Sequence, residues 1–163
     1  MADPSVMKAR LARLQAELGP DLAVIARLGT EIVASSPPPA DEAQLALAAV
    51  RLHRYYTAIE TALERIERLF AALPAGPEWH SELLDGAAFE LPGVRPAILL
   101  PSTVAELRDL LKFRHFFRHA YAVELDRGKL AQLAGTVARA RGQVDASLDA
   151  FAALIAELGR RLG

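Results

Sequence analysis

From Lys112 to Asp126 the chain reads KFRHFFRHAYAVELD, and Arg114, His115, Arg118, His119 and Tyr121 fall within eight residues of one another. On a helix turning about 100° per residue, Tyr121 lies roughly 20° to one side of Arg114. Arg118 lies about 40°, His115 about 100° and His119 about 140° to the other side. Phe113, Phe116, Phe117 and Ala120 fall on the opposite side, where three aromatics and an alanine would anchor the helix. The exposed face then carries two guanidiniums, two imidazoles and a phenol.

That set suits a phosphodiester. An imidazole that titrates near neutrality can take a proton from a 2′-hydroxyl or return one to a leaving oxygen. Guanidiniums clamp phosphate oxygens and stabilise the charge that builds in the transition state. RNA carries its own nucleophile, so the chemistry requires no metal and no cofactor. Two neighbouring arginines also disfavour a protonated imidazole, which helps a histidine act as a base. The plainer reading is a solvated helix face. A metal site at His115 and His119, spaced i, i+4, is disfavoured by Arg114 and Arg118 beside them and by the lack of a clear third ligand.

The elements that must position these residues are helical. Ala, Leu, Arg and Glu dominate, all good helix formers, and Val, Ile and Thr form no alternating runs. A first helical region over residues 4–35 is interrupted at Gly19-Pro20, giving one kinked helix or two shorter ones. The linker Ser35-Ser36-Pro37-Pro38-Pro39 follows. A long second helix opens at Asp41 or Glu42 and ends near Leu73. The third is predicted over 78–91. A fourth, with Thr103 and Glu106 as a capping box, runs from Pro101 to about Tyr121. The last spans about 129–162. Together they predict an all-α antiparallel bundle of four or five helices. The chain reads as a single domain over 1–163, with an N-terminal helical arm over 1–36 and a core bundle over 41–162.

Composition narrows the function classes. Hydrophobic residues are 52% and charged residues 24%, enough for a packed core and against wholesale disorder. The absence of cysteine removes disulfides, thiolate metal sites and thiol nucleophiles. A net charge of −1 provides no global field for nucleic acid, so any RNA chemistry must be local. No apolar run resembles a signal peptide or approaches a membrane span, which predicts a cytoplasmic protein with no membrane partner.

Arg114-His115-Phe-Phe-Arg118-His119 reads as R-x4-H with a polar residue after the arginine, and Tyr121 extends it to R-x4-H-x-Y. This resembles the motif of HEPN-domain ribonucleases, in the longer form of HepT toxins from HEPN/MNT toxin–antitoxin systems. YYTAIETALERI at 55–66, EWHSELL at 78–84, LPGVRPAIL at 91–99 and FRHFFRHAYAVELD at 113–126 are similar to that branch, and the resemblance covers roughly residues 41–160. It implies an RNA substrate (tRNA or mRNA), cleaved without metal in a cleft shared by a homodimer or higher assembly, leaving a 2′,3′-cyclic phosphate. It implies that His119 is the general acid/base, that Arg114 stabilises the phosphate and that His115 supports the site. Tyr121 then matches the tyrosine that an MNT-type nucleotidyltransferase antitoxin silences by AMPylation. Arg118 joins the site on geometry alone. The resemblance also sets the second helix beside the catalytic one, where Glu60 could hold Arg114 or a histidine rather than serve as a surface acid.

An alternative is a non-catalytic companion of a nucleotidyltransferase that binds nucleotide or RNA. Trp79 reads as a core or interface plug, His80 as a cap or surface residue, Arg95 as a solvated loop arginine and His53 as a surface residue.

Overall fold

The computed structural model describes residues 3–119 and 124–162. Among them are five helices and no strand: α1 (Pro4–Ala34), α2 (Glu42–Phe70), α3 (Trp79–Gly86), α4 (Pro101–His119) and α5 (Arg127–Arg161). The expected all-α bundle is present. Aspartates open three of the helices by accepting a backbone N–H one or two residues inside the helix. Asp3 takes Ser5 N at 2.9 Å, Asp41 takes Gln44 N at 3.0 Å and Asp126 takes Lys129 N at 2.8 Å. Each such cap meets a backbone N–H that the first turn leaves without an intrahelical partner. The Asp126 cap is why α5 begins two residues before the expected start.

α1 is one helix straight through Pro20. Proline within a helix costs about 3 kcal/mol. Leu14 and Leu18 before it and Ile25 and Leu28 after it are all buried in the same core, and that burial offsets the cost. α1 packs mainly on α2 and α5 and shares its core with all the other helices, so it is an integral member of the bundle rather than an arm. Arg10 near the start of α1 donates to the carbonyl of Arg68 near the end of α2, and Arg51 near the start of α2 pairs with Glu31 near the end of α1. The two helices are therefore antiparallel. Gly29 lies where α1, α2 and α5 meet. A Cβ there would come 3.3 Å from the Tyr55 ring and 3.6 Å from Arg141.

Three local expectations are corrected. α3 stops at Gly86, not near Leu91, and a tight turn from Leu91 to Arg95 follows, with Gly93 at φ +72°. α4 begins at Pro101, whose missing N–H costs nothing in a first turn. Thr103 is therefore buried inside the helix, and Glu106 forms a two-point ion pair with Arg139 of α5 instead of a capping box. Arg95 is 4% exposed and pairs with Glu67 of α2. It also donates to the carbonyls of Phe89 (2.9 Å), Pro96 (3.0 Å) and Gly86 (3.2 Å). Loop carbonyls that leave solvent need donors, and Arg95 supplies three of them.

Among the described residues no helix is long and apolar enough to cross a membrane.

The Glu67–Arg95 pair ties α2 to the connection that delivers α4. Removing one partner strands a buried charge, at a cost of about 3–5 kcal/mol. Glu67→Leu and Arg95→Leu should each lower urea stability by that order. Equilibrium unfolding measures the difference, and a loss under about 1 kcal/mol in both would contradict this role.

Candidate functional site

The core stripe of α4 decides how the R-x4-H segment sits. Leu107, Leu110 and Leu111 are buried, and helical spacing carries their stripe directly onto Arg114. Arg114 is accordingly 7% exposed and faces α2, while Phe116 is 47% exposed. The expected division of this helix is thus corrected. Phe113 is buried and Phe117 packs against the core, but Phe116 is largely exposed and Arg114 points inward. Helical spacing over residues 113–121 alone places the aromatics inside. The leucines one and two turns earlier fix the true orientation.

Glu60 of α2 meets Arg114. Glu60 is 4% exposed; its Oε2 lies 2.9 Å from Arg114 Nη2, and its Oε1 lies 2.6 Å from Nδ1 of His80. One carboxylate thus bridges a guanidinium from α4 and an imidazole from α3. The His80 ring lies against Trp79, with centroids 3.6 Å apart, and meets His115 edge-on at 5.2 Å. Arg114 Nε and Nη1 are buried without a partner among the described residues. Tyr56, one turn before Glu60, has its hydroxyl pKa pushed up, first by burial and then by the Glu60 charge.

Two imidazoles flank this centre. The His115 pKa is held below the ordinary histidine value, first by partial burial and then by the charges of His80 and Arg114. His53 of α2 lies 5.3 Å from the Phe117 ring, and its Nδ1 is shut from solvent without a partner among the described residues. Its pKa is lowered by burial and then by Arg114 and Arg118. Arg118 is exposed, yet its charge reaches both histidines. His119 is exposed on the last described turn of α4. Five residues on a helix rise about 7.5 Å and turn about 140°, so Arg114 and His119 of one chain diverge. Tyr121 lies outside the described residues.

The structure therefore brings Arg114, His115 and Glu60 together, leaves Arg118 and His119 on the outer side, and adds residues that sequence reasoning undervalued. His80 is buried inside the cluster, Trp79 stacks on it, and His53 lies half-buried nearby. The available signal for His80 was an unpaired acid, Glu60, in the middle of an apolar stripe. Such an acid calls for a buried partner. Among the described residues no group of three or more His, Asp and Glu side chains is arranged to hold a metal.

A helical bundle with a buried Arg–Glu–His cluster and an exposed histidine further along the same helix as the arginine is the class that fold and site define. The family model described as "HepT-like protein" matches residues 46–155, and the chain belongs to this HepT-like family. No curated protein matches the chain. No solved structure matches it either.

Both lowered histidines bind protons more weakly in the folded chain than in the unfolded one. Stability is then highest above the unfolded histidine pKa of about 6.5 and falls as pH drops through and below it. NMR titration should place His53 and His115 below that ordinary value. Urea stability should decline between pH 7 and 5.5, less steeply in His53→Gln/His115→Gln. Ordinary titration of both rings would contradict the described surroundings.

Proposed function

We propose that this chain is the toxin of a HEPN/MNT toxin–antitoxin pair, a metal-independent endoribonuclease acting in the cytoplasm. The observation that carries the reading is the state of Arg114 in a HepT-like chain. One nitrogen is fixed by Glu60, while Nε and Nη1 have no partner among the described residues. Burying unmet donors costs about 1–3 kcal/mol each, more when they carry charge. A structural ion pair has no need of that, and a phosphate oxygen would satisfy it.

In the reaction, His119 takes the proton of a 2′-hydroxyl or protonates the departing 5′-oxygen. The 2′-oxygen bonds to phosphorus as the P–O5′ bond breaks, leaving a 2′,3′-cyclic phosphate. Arg114 stabilises the charge on the phosphorane-like state. Arg118 adds a second cation at the outer face, and His115, whose hold on a proton is weakened by desolvation and then by its neighbours, supports the site. Because Arg114 and His119 of one chain diverge along α4, a second copy completes the cleft. The RNA substrate is a tRNA or mRNA. The partner is an MNT-type nucleotidyltransferase that transfers AMP from ATP to the hydroxyl of Tyr121, two residues beyond His119, with pyrophosphate as the leaving group. The adduct adds a bulky anion to the R-x4-H-x-Y segment, and its charge would compete for the arginines that bind phosphate.

A second reading, a non-catalytic companion that holds nucleotide or RNA, is favoured by the net charge of −1 and by the inward placement of Arg114.

The test is cleavage of total RNA and of a tRNA pool by the purified protein in EDTA, with product ends mapped. The wild-type chain should leave cyclic-phosphate ends. His119→Ala should lose about 10²–10⁴-fold, as expected for a general acid/base, and Arg114→Ala about 10²–10³-fold. No cleavage by a wild-type chain shown by mass spectrometry to carry no AMP on Tyr121 would overturn the ribonuclease and leave the binding companion.

A further inference from the structure

Glu60 has two oxygens and two partners, and nothing in the proposed chemistry uses the second. Oε2 serves Arg114 and Oε1 is held by His80 Nδ1. A carboxylate in a buried setting rotates about its last torsion unless both oxygens are fixed, because that torsion is broad. Rotation would swing Oε2 away from Arg114 and release the guanidinium. His80 prevents it, and is itself immobilised: the Trp79 ring covers one side at 3.6 Å, and its own side chain is only 10% exposed. A proton on Nδ1 is donated to Glu60, and the ring meets the edge of His115 at 5.2 Å. His80 therefore touches the two residues, Glu60 and His115, that flank Arg114.

We propose that His80 is a positioning residue of the site: by fixing the Glu60 carboxylate it holds Arg114 in the orientation that receives the scissile phosphate. This rests on the ribonuclease reading for its effect on rate, but not for its effect on Arg114. Trp79 is the second part of the device, since it sets the plane of the His80 ring. α3, eight residues long, thereby has a task beyond packing, which is to deliver the Trp79-His80 pair to the acid on α2.

Two substitutions separate positioning from bulk. His80→Phe keeps a ring against Trp79 but has no donor. His80→Asn keeps an amide N–H close to the place of Nδ1. Two measurements are made on both variants beside the wild-type chain: RNA cleavage in EDTA, and the NMR signal of the Arg114 Nε–H group. The expected result is a fall in kcat of about 10²-fold for His80→Phe with KM little changed, as misplacement by an ångström produces. The Arg114 signal should shift and exchange faster in the same variant. His80→Asn should recover most of both. Loss by the two variants alike would assign His80 to packing and overturn the proposal, as would an unchanged Arg114 signal in folded His80→Phe.

If the wild-type chain cleaves no RNA, the ribonuclease reading fails, and the Arg114 signal alone decides the positioning role. If His80→Phe does not fold, the nitrogen shifts of His80 in the wild-type chain decide it. A proton on Nδ1 facing Glu60 supports the role, and a neutral ring protonated only on Nε2 overturns it.

Discussion

The carboxylate of Glu60 is the constraint on which the site depends. It sits in the middle of a mainly apolar buried stripe of α2, where an unpaired charge would cost several kcal/mol. Two elements must therefore come to it. α4 contributes Arg114 at 2.9 Å and α3 contributes His80 at 2.6 Å. Seven residues further along the same face of α2, Glu67 repeats the arrangement with Arg95. Glu60 thus pins α3 and α4 to α2, and Glu67 pins the connection between them. Apolar burial alone would let these short segments slide. The paired charges fix them, because a displaced cation leaves both partners buried and unmet.

Much of this was legible from the chain. The helix order, the linkers and the all-α class follow from composition, proline placement and helical spacing. The R-x4-H-x-Y segment was visible as a dense run of guanidinium and imidazole groups. The faces of α4 were not legible from that run alone. Aromatics are good indicators of burial in general, but the stripe through Leu107, Leu110 and Leu111 outweighs them and turns Arg114 inward and Phe116 outward. Arg95 and His80 were hard to read for one shared reason. Each is a polar residue beside a turn, where solvent is the usual partner, and each is buried by an acid many residues earlier: 28 for Arg95 and 20 for His80. Long-range charge pairing leaves no periodic trace in a sequence.

The charge balance also acquires a physical meaning. The chain as a whole is nearly neutral, and most of its arginines are engaged with acids: Arg65 with Glu17 and Asp21, Arg139 with Glu106, Arg95 with Glu67. Around the R-x4-H segment the cations are less fully matched. Arg114 has two nitrogens without a partner among the described residues, and Arg118 has no described acid of its own. A site built this way selects by local geometry, because no long-range field draws polyanions to it.

The most direct measurement is a double-mutant cycle between Glu60 and Arg114, using Glu60→Gln, Arg114→Met and the double variant in urea unfolding. The expected result is a coupling energy above about 1 kcal/mol, with the double variant more stable than the sum of the single losses requires. Additivity within about 0.5 kcal/mol would mean that the two residues do not hold each other, and that the site is not built on Glu60.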